Sequence, residues 1–202
     1  KKVRMDITIP NREDFKHDYL ITVDLGRMKS AAALAIQHSE PNFGYVLDGI
    51  IAWTPIPEQN IEVDLMDVRS WLRKLVKIIP RIRVGFDQWN SAVLIAELNR
   101  DGIKTVEYHT YDRDYDSLRK GMASGIIHLL DSADLAKQIS AIKDGGDGTV
   151  ELDEKLSPRK DMVDVVVGGF KVLMGKEIMR SQPMPGGHFV GFNLDQLGGS
   201  LI

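Results

Sequence analysis

No cysteine occurs among the 202 residues, which excludes disulfide frameworks, thiolate zinc sites and cysteine nucleophiles and leaves oxygen-ligated metals open. Nor is there a strong excess of charge. The formal net charge is −3, so any contact with nucleic acid has to come from a local basic patch. No apolar run approaches the ~20 residues of a membrane span, and residues 1–5 are basic without the apolar segment of a signal peptide. The chain reads as soluble, with no membrane partner. A G-x-x-x-x-G-K-[ST] phosphate loop is absent, as are internal repeats and low-complexity tracts. What is present is 43% hydrophobic residues, enough to bury one sizeable core.

Residues 1–17 mix charge with Pro10 and Asn11 and read as a linker or trimmed domain junction. A folded domain is expected over 18–180, and the Pro- and Gly-rich stretch 181–202 reads as a tail outside the core. Residues 19–25, 31–37 and 45–53 are apolar runs rich in β-formers, three strands in meander order around a turn at 41–44. Val68, Trp71, Leu72, Leu75 and Ile79 recur at helical spacing across 63–79. A strand over 82–86, a helix over 91–100 and a strand over 104–108 then alternate. Beyond them the pattern predicts a helix over 115–124, a short strand over 126–129, and a helix over 133–143 stopped by Gly145 and Gly146. A stretch over 149–152 follows, and Ser157-Pro158 reads as the cap and first position of a helix running to about Met174. The expected fold class is α/β, a mixed central sheet flanked by helices.

In such a sheet the first strand is central, and Asp24 stands near its end. Asp87 closes the fourth strand. If the two strands lie side by side in parallel, both acids emerge at neighbouring C-terminal ends, where open α/β sheets place ligands. Asp161 and Asp164 lie three apart on one face of the last helix, with Gly168 one turn on to let that face approach the sheet. A carboxylate ending a strand is, taken singly, usually a turn or cap residue, and an acid pair near a helix start suits the macrodipole. Together they form a set that hard divalent cations need: Mg²⁺ or Mn²⁺ ions roughly 3.5–4 Å apart activate water and stabilise a leaving oxygen of a phosphodiester.

Tyr-Leu-Ile-Thr-Val-Asp-Leu-Gly at 19–26, Val-Gly-Phe-Asp-Gln-Trp-Asn-Ser at 84–91 and Lys-Asp-Met-Val-Asp at 160–164 resemble, in order and spacing, the three acidic motifs of the nuclease domain of viral large terminases. The resemblance covers about residues 18–175. It implies an RNase H-like fold and a metal-dependent endonuclease that cuts concatemeric viral DNA during genome packaging. The implied metal ligands are Asp24, Asp87 and Asp161, the three catalytic positions, with Asp164 matching a second acidic position. Two divalent ions, Mg²⁺ or Mn²⁺, are the implied cofactors. Where the family often has two adjacent acids in its third motif, Lys160 precedes Asp161 here, so the choice between Asp161 and Asp164 stays open. The implied partners are double-stranded DNA, a small terminase subunit and a portal protein, in the cytoplasm of the infected host. The packaging ATPase that such terminases carry N-terminal to the nuclease is not in this sequence.

Arg27 and Lys29 after the first motif, and Lys155, Arg159 and Lys160 beside the third, are candidate phosphate contacts that would bind without reading bases. His17, His109 and His128 show no metal-ligand spacing and read as surface or satisfied core residues. Trp53, Trp71 and Trp89 read as core. Alternatives are another RNase H-like enzyme of the junction-resolvase or transposase type, an actin-like ATPase lobe, since Val-Asp-Leu-Gly also resembles its first phosphate loop, or a noncatalytic binding module of the same fold. The actin-like reading requires a second Asp-x-Gly loop that the sequence lacks.

Overall fold

The computed structural model describes residues 3–7 (backbone only), 16–25, 31–41, 43–56, 59, 62–87, 91–146 and 149–174. Its elements run β1 (Val3–Ile7), β2 (Tyr19–Asp24), β3 (Ala32–Glu40), β4 (Gly44–Trp53), α1 (Leu65–Ile78), β5 (Ile82–Asp87), α2 (Ala92–Arg100), β6 (Lys104–Tyr108), α3 (Asp112–Ala123), β7 (Ile127–His128), α4 (Ala133–Ser140), β8 (Ile142–Asp144), β9 (Val150–Leu152) and α5 (Asp161–Met174).

The main sheet has the order β1-β4-β3-β2-β5-β6. Strands β2, β3 and β4 form the antiparallel meander, and β5 and β6 add to β2 in parallel. The short β7 lies parallel to the start of β4. As the central strand, β2 is covered on both faces, which is why Tyr19, Leu20, Ile21, Thr22 and Val23 are all buried. On one face Tyr19, Ile21, Val23, Val84 and Phe86 pack against Val68, Leu72 and Leu75 of α1 and Leu98 of α2. On the other, Ala33, Ala35, Tyr45 and Ile50 meet Val163, Val166, Val167 and Phe170 of α5, with α3 and α4 alongside. The expected mixed sheet flanked by helices is present. Asp64 caps α1, its side chain accepting from Met66 N–H at 3.0 Å.

Three expectations need correction. Val3–Ile7, within the stretch read as a linker, pairs antiparallel with β4 from Ile7 opposite Gly49 to Val3 opposite Trp53. The helix predicted over 133–143 ends at Ser140, and Ile142–Asp144 instead pairs with Val150–Leu152 as a hairpin. Gly146, at φ +81°, makes the turn there, a conformation that glycine adopts without strain. The last helix begins at Asp161 rather than Pro158. Ser157 Oγ donates to the carbonyl of Arg159 at 2.8 Å, so it caps a turn before the helix, and Gln138 Oε1 takes the Met162 N–H at 3.0 Å.

Candidate active site

Strands β2 and β5 run in parallel with Val23 opposite Phe86, so the next residues, Asp24 and Asp87, stand side by side at their C-terminal ends. Asp87 in turn pairs with Tyr108 at the end of β6. Side chains at i and i+2 share a face of a strand. Asp24 therefore lies on the face of Thr22, and the Thr22 hydroxyl donates to the Val165 carbonyl of α5 at 2.7 Å. Both acids face α5, and each is partly exposed.

Two consecutive glycines set how close α5 comes. A Cβ on Gly168 would lie 2.4 Å from Cε2 of Tyr108, and one on Gly169 would lie 1.9 Å from Nε2 of Gln37. Gln37 is fully buried and satisfied: its amide nitrogen donates to Thr22 Oγ1 and its oxygen accepts from Tyr45 Oη. Those bonds hold the sheet's polar residues against α5 and leave no room for a side chain at 169. With α5 seated this way, Asp164 comes one turn before Gly168, over the same strand ends as Asp24 and Asp87.

Asp164 accepts from Tyr115 Oη, and Lys160 Nζ donates to both of its oxygens at 2.8 and 2.9 Å and to Tyr115 Oη at 2.8 Å. Burial raises the Asp164 carboxyl above its ordinary value despite Lys160 and Tyr115, and Asp87 pushes it the same way. Asp161 is raised too, by burial and by Asp164, against the influence of its own N–H, Arg159 and Lys160. The Tyr108 hydroxyl is pushed well up, chiefly by burial and then by Asp24, Asp87 and Asp164. One buried tyrosine thus senses three of the four acids. The Tyr115 phenol is raised by burial and by Asp164, with a further push from Asp24.

The donor set fits hard divalent cations. It consists of carboxylate oxygens on three elements, and the Lys160 ammonium already sits on one of them, Asp164. Among the described residues, no three of these acids place oxygens within 4.8 Å of one another. An ion bridging these acids would have to draw their oxygens together and displace Lys160 from Asp164. Asp87 is among the groups that raise Asp164, whereas Asp161 responds to burial first and then to Asp164, its own N–H, Arg159 and Lys160.

Of the candidate phosphate contacts, Arg159 and Lys160 sit at the start of α5 beside the acids, and Lys155 is exposed in the preceding turn. Arg27 and Lys29 lie outside the described residues, as do Trp89 and the 181–202 stretch. His109 was expected to be a surface or core residue; its Nδ1 is 3.7 Å from Asp87 Oδ1. Tyr108, Tyr115 and Gln37 escaped the sequence reading. A tyrosine ending β6, level with the acid ending β5, is the signal that could have found the first; the other two depend on helix placement.

No family model and no curated protein matches the chain. Solved structures do. The HK97 bacteriophage large terminase superposes with TM-score 0.61 at 16% identity over 84% of this chain, and the large terminase of thermophilic bacteriophage D6E with 0.63 at 15% over 83%. The large terminase nuclease from thermophilic phage G20c with bound magnesium gives 0.59 at 15% over 77%. This chain spans 44% and 42% of the first two but 82% of the G20c nuclease. The shared fold is therefore that of the nuclease part of these terminases, and it is the RNase H-like arrangement expected above.

Proposed function

We propose that the chain is the nuclease portion of a large terminase, a metal-dependent DNA endonuclease that cuts concatemeric viral DNA during packaging. The observation that supports this reading most is the placement of Asp24 and Asp87 at the ends of adjacent parallel strands with Asp164 of α5 set over them. Asp24, Asp87 and Asp164 would hold divalent cations, with Asp161 beside them as a further ligand. Mg²⁺ or Mn²⁺ bound there, two ions in the full reading, would supply Lewis acidity to the attacking water and the leaving oxygen.

The protein's own residues do the rest. Tyr115 fixes the rotamer of Asp164 through its hydroxyl, and Tyr108 packs under the cluster and keeps water from its floor. His109 stands against Asp87 and limits the directions that carboxylate can take. Arg159, Lys160 and Lys155, with Arg27 and Lys29, would meet phosphates of the duplex, giving sequence-independent binding that weakens with salt. The small terminase subunit and the portal would be partners of the whole assembly, and the host cytoplasm its setting.

The test is nicking of supercoiled plasmid by the purified chain with Mg²⁺, Mn²⁺ or EDTA. Cutting is expected only with metal, and Asp24→Asn or Asp87→Asn should lower it by roughly a hundredfold or more, since loss of even a group that orients a metal ligand typically costs roughly 10–100-fold. Cutting by either variant at the wild-type rate would refute the assignment.

A further inference from the structure

A second cluster of metal-binding side chains lies at the opposite end of β2. The ladder places Leu20 opposite Gln37; continued outward, it sets Tyr19 beside His38 and His17 beside Glu40, at the edge away from Asp24. With β2 rising ~3.3 Å per residue, His17 and Asp24 are separated by roughly 20 Å. Here His38 Nε2 lies 3.3 Å and His17 Nε2 3.5 Å from the same Glu40 oxygen, Oε1. The three donor atoms all fall within 4.8 Å of one another. Donors bound tetrahedrally at ~2.0–2.1 Å from a zinc-class ion stand ~3.3 Å apart, close to the two distances from the Glu40 oxygen to the imidazoles.

The other nitrogen of His38 is also provided for. Its Nδ1 is 2.7 Å from Oδ2 of Asp48 on β4, and both side chains are nearly buried, 5% and 9% exposed. A proton on Nδ1 shared with Asp48 leaves the Nε2 lone pair directed at Glu40 and His17. A carboxylate behind the ring is what orients and strengthens a metal-ligating histidine. Tyr19 packs on the ring at 5.3 Å and holds its plane. His17, whose side chain is 31% exposed, is stacked on His38 at 4.3 Å, so it would turn out of that stack to present Nε2 in its own ring plane.

We propose that His17, His38 and Glu40 form a metal site distinct from the carboxylate cluster, with Asp48 orienting His38, and that it takes a zinc-class transition-metal ion. Two imidazoles and one carboxylate select such an ion over Mg²⁺, which prefers an all-oxygen shell. Three protein donors leave a fourth position for water. The bound ion ties the chain just before β2 to the end of β3, a staple at the far side of the sheet from the acids.

The experiment uses Asp24→Asn/Asp164→Asn protein stripped with EDTA, which removes the other cation-binding end from the measurement, and titrates it with Zn²⁺ by calorimetry. One zinc per chain is expected, undiminished by excess Mg²⁺, together with a rise in Tm of roughly 5–10 degrees when zinc is near a hundred times its Kd. His17→Ala and Glu40→Gln, at partly exposed positions, should each keep the far-ultraviolet dichroism of the parent and lose most of the zinc affinity and the Tm gain. Absence of zinc binding in the parent, or equal binding and equal gain in both variants, would overturn the site and leave His38 as an ion-paired histidine between Asp48 and Glu40.

Discussion

Lys160 Nζ sits 2.8 and 2.9 Å from the two carboxylate oxygens of Asp164, four residues further along the chain. On the proposed reading a cation would bind where this ammonium stands, so protein charge and metal charge would compete for one carboxylate. Lys160→Met should therefore have opposite effects with and without metal. In EDTA it removes the ammonium from Asp164 and should destabilise the fold by about 1 kcal/mol, a figure reduced for the partial exposure of the pair. In Mg²⁺ the stabilisation on adding metal should exceed that of the wild type. Thermal unfolding in the two buffers measures both, and an equal metal-induced gain would show that Lys160 does not compete.

The pH dependence follows from the raised carboxyls. Burial and like charge lift Asp161 and Asp164 above 3.8 in the folded protein. A carboxyl raised on folding contributes stability that is complete below its unfolded value and lost as pH rises through the folded one. Metal-free protein should accordingly lose this contribution on going from about pH 4 upward, and Asp164→Asn, with no proton to lose, should show a shallower decline. Urea unfolding in EDTA across that range, wild type against variant, is the check. A decline of the same slope in both would rule out Asp164 as a source.

At the back of the site the glycines of α5 permit no substitution. Gly169→Ala would drive a methyl into the buried Gln37 amide and Gly168→Ala one into the Tyr108 ring. Each should cost about 1–3 kcal/mol, and Gly169→Ala should cost the more because Gln37 is held by Thr22 and Tyr45. Equilibrium denaturation measures both. A neutral Gly169→Ala would mean that α5 stands further from the sheet.

The strand ends carrying Asp24 and Asp87 were legible because β2 and β5 are short apolar runs, each closed by its acid; that the two lie side by side in parallel was a condition of the reading, and the fold meets it. The pair at 161 and 164 was legible as one helix face. Which of the two bonds Tyr115 and Lys160 was not, since that turns on contacts between residues far apart in sequence, and periodicity says nothing about which elements a helix meets. Val3–Ile7 alternates apolar and polar residues like a strand, yet charges and Pro10 around it masked five residues of signal. Ser157-Pro158 has the composition of a helix start, but the serine hydroxyl closes a turn onto Arg159 and the helix waits for Asp161. Lys160 looked like a departure from the motif; its bonds to Asp164 and Tyr115 depend on α3 packing beside α5.

A crystal of the chain soaked in Mn²⁺, with anomalous difference maps, is the most direct measurement. Peaks are expected between the carboxylates of Asp24, Asp87 and Asp164, with Lys160 moved off Asp164. A map with no peak at those strand ends, in crystals that leave the edge open to solvent, would contradict the carboxylate cluster as the metal centre of a nuclease.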